Sequence, residues 1–299
     1  MRFRQFRLFP ALLASVFLVT AVAAFGQDAD KGHLRDVVYG HKLGVALTMD
    51  VFKPEKPNGI GVIWMVSGGW VSNHESINPG LATIFTSRGQ TVFEVVHGSQ
   101  PKFALPEIVQ DIHRAVRFIR THASEYGVDP NRLGICGGSA GGHLSLYMGA
   151  YGDDGKPDAK DPVERSSSKV EAVACFFPPT DFMNYGKEGQ QAILVPQLRP
   201  FWPAFGVTDA TSKEQVEKLG RTLSPIYGVS DKFPPTLIIH GDADTLVPIQ
   251  QSQIMIKKLE DAKVPCKLVT VPGKGHGWVG MEKDAVQIAD WFAEYLKAK

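Results

Sequence analysis

Arg132-Leu133-Gly134-Ile135-Cys136-Gly137-Gly138-Ser139-Ala140-Gly141-Gly142-His143, running on to Ala150, is the stretch that decides how this chain folds. Arg132 to Cys136 is short and mostly apolar, as a buried strand is. His143 to Ala150 is a run of small and apolar residues suited to a closely packed helix. Between them stands Gly137-Gly138-Ser139-Ala140-Gly141, which fits G-x-S-x-G. Glycine on either side of a serine lets the chain turn sharply and pass its neighbours without a Cβ clash. A strand, this turn and a helix in succession lift the serine hydroxyl above the end of a sheet, at a helix N-terminus. The pentapeptide alone is moderately specific, and its context supplies the rest. The plainer alternative is a Gly-rich turn in which Ser139 only caps the helix.

Outward from this turn, short apolar runs alternate with amphipathic ones. Ile60 to Val66 (IGVIWMV) is nearly continuous in apolar residues, the pattern of a strand buried on both faces. Thr91 to Val96, Val170 to Phe177, Thr236 to His240 and Cys266 to Val271 read as further strands. Pro106 to Tyr126 carries Ile108, Val109, Ile112, Ala115, Val116 and Ile119 at helical spacing; Pro106 suits a first turn, and Gly127 closes the run. Pro248 to Ala262 and Glu282 to Lys297 read as helices in the same way. Val37 to Val51 is expected to give antiparallel strands at the start of the sheet. Strand alternating with helix predicts an α/β domain with a mostly parallel sheet and helices on both faces. Asp181 to Lys232 breaks the alternation. It has Tyr, Trp, Pro and polar residues but no clear strand, and lies between two sheet strands. Long pieces of this kind usually serve function, so 181–232 is read as a lid or cap insertion; the alternative is a peripheral elaboration without substrate contact.

The chain has 299 residues, 43% hydrophobic and 21% charged, with a formal net charge of +1. That balance suits one globular domain with a sizeable core and offers no basic field for nucleic acid. Residues 1–26 stand apart. Arg2, Arg4 and Arg7 precede an uncharged run from Leu8 to Phe25 that ends in small residues. This reads as a secretory signal peptide, leaving 27–299 as a single domain and placing the product outside the cytoplasm, periplasmic or secreted. An uncleaved anchor is the alternative, disfavoured by Pro10 and the small-residue end. No later segment is apolar enough to span a membrane. Cys136, Cys175 and Cys266 all lie in apolar runs, and their odd number suggests buried thiols rather than a disulfide framework. The nine histidines include no H-E-x-x-H and no paired Cys/His spacing, so neither metal nor cofactor is expected.

A serine hydroxyl needs a positioned base to act as a nucleophile. Lys274-Gly275-His276-Gly277-Trp278 follows a strand and precedes the last helix, and its glycines leave His276 free to reach Ser139. A carboxylate should then orient the imidazole and fall between serine and histidine in chain order. His240-Gly241-Asp242-Ala243-Asp244-Thr245-Leu246-Val247-Pro248 offers Asp242 and Asp244. An oxyanion donor is expected from the N–H of Ala140, the residue after the nucleophile.

From about Val37 to the C-terminus, these motifs resemble the α/β-hydrolase superfamily, in its esterase/lipase branch near the hormone-sensitive-lipase-like and BD-FAE-like carboxylesterases. The resemblance implies the α/β-hydrolase fold and an acyl-enzyme mechanism. Its G-x-x-D-x-x-V-P pattern picks Asp244, with Val247 and Pro248 after it; Asp242 would then be a turn-forming residue. Its His-Gly-Gly-Gly-Trp loop corresponds to Ser67-Gly68-Gly69-Trp70, which implies Gly69 and Trp70 as further oxyanion donors. Here the leading His is Ser67 and one Gly is missing. Phe176 to Phe182 resembles a rigid turn at the pocket edge.

Several residues carry plainer readings. His143, one turn after Ser139, is read as a helix-packing residue. Asp111, His113 and Arg114 are read as a solvated face or a structural ion pair. His97, on a loop after a strand, has no assigned role. Phe201, Trp202 and Phe205 either line an acyl or aryl pocket or pack the insertion. The function expected is an exported serine carboxylic-ester hydrolase acting on short acyl or aryl esters, such as acetylated or feruloylated carbohydrate. Its partner is that small-molecule or carbohydrate ester; the sequence does not give the oligomeric state. The alternatives are a prolyl-oligopeptidase-like peptidase, for which the usual N-terminal propeller has no room, and a catalytically silent binding protein, which the altered Ser67 loop alone suggests.

Overall fold

The computed structural model describes residues 32–298, so the leader read at residues 1–26 lies outside the described residues. Eight strands form one sheet: β1 (His33–Lys42), β2 (Val45–Phe52), β3 (Gly59–Val66), β4 (Thr91–Val96), β5 (Val128–Gly138), β6 (Ala172–Phe176), β7 (Thr236–Gly241) and β8 (Cys266–Val271). Their order is β1-β2-β4-β3-β5-β6-β7-β8. The β1–β2 and β2–β4 pairs are antiparallel, and every pair from β4 to β8 is parallel. Seven helices accompany them: α1 (Pro79–Thr86), α2 (Leu105–Thr121), α3 (Ala140–Tyr151), α4 (Trp202–Phe205), α5 (Lys213–Leu223), α6 (Gln250–Asp261) and α7 (Met281–Tyr295).

The continuous apolar runs are explained by the two-residue period of a strand. Ile63 and Met65 of β3, Ile135 of β5 and Val173 of β6 face a core completed by α2, α3 and α6. Ile60 and Val62, Cys136 and Ala174 point the other way, into a core completed by α1 and α7. Both faces of these strands are therefore apolar at those positions, and each fully buried Ile or Phe contributes about 1.5–3 kcal/mol. The crossovers bring the C-terminal ends of β3, β5, β7 and β8 to one edge of the sheet, where loops gather in folds of this type.

The structure differs from expectation at several points. β8 is an edge strand, so its side chains are partly exposed and Cys266 is half-buried, while Cys136 and Cys175 are fully buried. Helix α1 was not foreseen, although Asn78 caps it and Pro79 opens it. Tyr126 ends a separate short turn, closed by the left-handed Gly127. Asp111 and His113 are not a solvated face: Asp111 is buried against Lys42 Nζ at 2.9 Å and accepts the N–H of Gly98, and buried His113 meets Ser168. The ion-pair reading holds for Asp111, and for Arg114, which pairs with Asp161 and Glu164. The 181–232 stretch is folded, with α4, α5 and short turns, and its Phe182, Ile193, Phe205 and Val216 join the α2–α3 core. Among the described residues no helix is long and apolar enough to cross a membrane.

Candidate active site

The turn between β5 and α3 places Ser139 at φ 53°, ψ −117°, a region L-residues avoid. Holding a side chain there costs on the order of 1–3 kcal/mol, offset by the surrounding packing. Ser139 N–H donates to Phe176 O at 2.9 Å, and Ser139 O accepts the N–H of His143 at 2.9 Å. A Cβ on Gly137 would stand 2.8 Å from the backbone of Gly141, which is why glycine is required there.

Three of the predicted side chains meet. Ser139 Oγ lies 2.8 Å from His276 Nε2, and His276 Nδ1 lies 2.7 Å from Asp244 Oδ2. With Nδ1 donating to the carboxylate, Nε2 is left to accept the serine proton. Asp244 is buried and richly bonded: Oδ1 accepts the N–H groups of Leu246 and Val247, both at 2.9 Å, and Oδ2 lies 3.2 Å from His240 Nε2. Burial alone would raise its pKa; the bonds from His240, His276 and Val247 outweigh that and hold it well below the usual carboxylate range. Asp242 stays outside this chain. Its Oδ1 accepts Gly273 N–H at 2.6 Å, the turn-forming role.

His240 was not singled out in the sequence. It is fully buried, with Nε2 2.9 Å from Val247 O and Nδ1 2.6 Å from Ser252 Oγ, and it steadies the loop that carries Asp244. Its position four residues before Asp244, at the end of β7, was the available signal. Phe177, from the rigid turn after β6, packs its ring 4.5 Å from the His276 ring.

The loop after β3 makes a tight two-residue turn. Gly68 and Val71 exchange backbone hydrogen bonds at 3.0 Å each, with Gly69 at φ 56° and Trp70 at φ 60° between them. Positive φ at both central residues is the type I′ pattern; for Trp70 it costs about 1–2 kcal/mol. The N–H groups of Gly69, Trp70 and Ala140 meet no acceptor among the described residues. All three residues line the same cavity as Ser139. Unpartnered donors beside a nucleophile are what an incoming oxyanion requires.

The Trp70 indole is anchored in its turn. Its Nε1–H donates to His143 Nδ1 at 3.2 Å, and His143 Nε2–H donates to Leu223 O at 2.8 Å. His143 is thus a bridge from the β3 loop to the insertion, more than the packing residue expected. Burial, only partly offset by the Leu223 bond, pushes its pKa down to about 4, so the ring is neutral and able to accept.

Trp70 meets Phe182, Phe201 and Phe205 edge-on, and these rings wall a narrow apolar cavity beside Ser139. The insertion therefore reaches the cavity rather than lying apart from it. Trp202 both lines the cavity and ties the insertion together through Ile193 O at 2.9 Å. One group with metal-ligand chemistry, Asp36, Asp50 and His74, lies outside this lining; both Asp50 oxygens already accept hydrogen bonds, from His33 and Asp36 N–H.

The sheet order, the strained serine turn and the three-residue relay define an α/β-hydrolase. The chain belongs to the BD-FAE family, whose model matches residues 49–259. It is similar to the probable carboxylic ester hydrolase LipM of Mycobacterium tuberculosis, 27% identical over 256 residues, 83% of this chain and 57% of that protein. It is also similar to the isoprenylcysteine alpha-carbonyl methylesterase ICME of Arabidopsis thaliana, 24% identical over 273 residues, 89% of this chain and 60% of that one. The chain spans less than two thirds of the length of these curated relatives. Among solved structures, a truncated carbohydrate esterase from gut microbiota superposes with a TM-score of 0.75 at 24% identity, covering 90% of this chain and 98% of that one. The Thermogutta terrifontis esterase Est2 with butyrate bound superposes at 0.69 and 23% identity, covering 91% and 98%. At that identity the likeness shows the fold.

Proposed function

We propose that this chain is an exported serine carboxylic-ester hydrolase that forms an acyl-enzyme on Ser139 and acts on short acyl esters of carbohydrate. The observation that carries the reading is the continuous relay from Ser139 through His276 to Asp244, at 2.8 and 2.7 Å, beside three unpartnered N–H groups. In the proposed reaction His276 Nε2 takes the Ser139 proton as Oγ attacks the ester carbonyl. Asp244 holds the imidazole in the tautomer that can accept, and stabilises the charged ring. The N–H groups of Gly69, Trp70 and Ala140 receive the developing negative oxygen. His276 then protonates the leaving alkoxide. Water repeats the sequence, releasing the acid and restoring Ser139.

The apolar cavity beside Ser139 supports a short acyl group. A carbohydrate alcohol is supported by two structural neighbours, a carbohydrate esterase and an acetyl ester-xyloside bifunctional hydrolase. Export rests on residues 1–26 as read in the sequence. The silent-binder reading loses its one support, because the loop altered at Ser67 still presents unpartnered N–H groups. The test is hydrolysis of p-nitrophenyl acetate, butyrate and octanoate, with Ser139→Ala alongside. Turnover greatest on acetate and lost in the variant is expected. A variant as active as the wild type overturns the reading.

A further inference from the structure

We propose that Gln100, on the loop after β4, is a positioning residue for ester hydrolysis, holding the β3 turn so that the Trp70 N–H faces the oxyanion. The inference rests on the esterase reading above. It begins with peptide geometry. In a planar trans peptide the C=O and the following N–H point in opposite directions. The direction of each oxyanion donor is therefore set by whatever holds the carbonyl of its own peptide unit.

For Gly69 N–H that carbonyl is Gly68 O, which is fixed inside the turn by the N–H of Val71 at 3.0 Å. For Trp70 N–H it is Gly69 O, which no backbone group of the turn reaches. Gly69 O instead accepts Gln100 Nε2–H at 2.6 Å. The same residue also donates its backbone N–H to Trp70 O at 3.2 Å. Gln100 thus grips consecutive carbonyls of the turn from the side away from the cavity, and the N–H of Trp70 is left facing the other way. Without that grip, flipping the Gly69–Trp70 peptide would relieve the positive φ at Trp70 and put a carbonyl where a donor is needed, since the related II′ turn has positive φ only at its first central residue.

Neighbouring bonds show that the β4 loop is built to hold this turn. Ser67, which stands where the resemblance implies histidine, meets His97 Nε2 through its Oγ at 2.8 Å. Ser99 Oγ takes the N–H of Ser72 and donates to Ser72 O, both at 2.8 Å. His97 N–H donates to Ser72 Oγ at 3.1 Å. These bonds fix where the two loops meet. Of these β4-loop residues, Gln100 is the one that bonds a carbonyl orienting a donor.

The experiment uses Gln100→Met, which keeps the length and removes the donor, and Gln100→Glu, which keeps the shape and donates only when protonated. For Gln100→Met, kcat on p-nitrophenyl acetate is expected to fall about 10- to 100-fold, a part of the 10²–10³ that losing an oxyanion donor costs, with KM near that of the wild type. Affinity for a methyl trifluoromethyl ketone, whose adduct with Ser139 carries the oxyanion, should fall by the same factor as kcat/KM. For Gln100→Glu, kcat relative to wild type should rise as pH falls, because protonation restores an O–H toward Gly69 O. Wild-type kcat in Gln100→Met overturns the proposal. So does a loss that follows the thermal midpoint, leaves ketone affinity unchanged, or gives a Gln100→Glu ratio flat with pH. A wild type that does not hydrolyse the ester overturns the esterase reading itself; active wild type with indifferent variants overturns only the role of Gln100.

Discussion

The two arms of the site are held in place by different means. The acid–base arm is anchored locally: Asp244 is oriented by the N–H groups of Leu246 and Val247, two and three residues on, and by His240 four residues before it. The oxyanion arm is anchored from a distance: Trp70 is fixed by His143, 73 positions away, and Gly69 by Gln100, 31 positions away. Local anchoring needs only a short loop that folds back on itself. Distant anchoring needs the whole sheet to be in register first, because β3, β4 and β5 must lie side by side before their loops can touch.

The largest effect should separate the two carboxylates of the local arm. Asp244→Asn would leave the loop bonded but present the wrong tautomer to His276, and kcat should fall about 10⁴-fold. Asp242→Asn keeps an oxygen able to accept from Gly273 N–H, so kcat should stay within about twofold. Steady-state rates on p-nitrophenyl acetate decide it. Comparable losses in both variants would mean that the Asp242 turn is as much a part of the arm as Asp244.

The same contrast explains what could be read in the sequence. Ser139, His276 and the pair Asp242/Asp244 were legible because each sits in a short motif flanked by glycine or following a strand. Choosing Asp244 took the family pattern, since spacing alone admits either. The buried strands were legible because their period is local; α1 was missed although Asn78-Pro79 is a helix-start signal. His143, His97 and Gln100 were illegible in their roles, because a hydrogen bond across 30 or 73 positions leaves no periodic trace. The exposure of β8 was misread for a related reason: an apolar run does not say whether a strand is central or at the edge.

Distant anchoring should also be more sensitive to acid. Burial holds His143 and His97 down to about 4, below their ordinary 6.5, and each accepts a hydrogen bond through its unprotonated nitrogen. The sign follows from proton counting at these two rings: between pH 6.5 and 4 each imidazole binds more proton in the unfolded chain than in the fold. Stability from these groups is complete above about pH 6.5 and is lost as pH falls toward 4. For His143, held at about 4, the loss is about 3 kcal/mol. Urea midpoints across this window should fall less steeply in His143→Gln, which keeps a donor and an acceptor but does not titrate. Parallel curves for variant and wild type would show that His143 does not hold this part of the fold against acid.

The smallest effect should come from the insertion, which leans on the oxyanion arm without orienting its peptides. A Cβ on Gly69 would stand 2.6 Å from the Phe201 ring, and that ring also meets Trp70 edge-on at 5.9 Å. Phe201 therefore closes the cavity from the insertion side, while Gln100 holds the turn from the opposite loop. Phe201→Ala should lengthen the space available to the acyl chain and leave the N–H groups where they are. One added methylene in an apolar pocket is worth roughly 10-fold or more in selectivity, so kcat/KM on butyrate relative to acetate should rise about 10-fold, with acetate turnover little changed. If acetate turnover instead fell as far as in Gln100→Met, the insertion would be orienting the turn as well as sizing the pocket, and Phe201 would join His143 and Gln100 as a third distant anchor of the oxyanion arm.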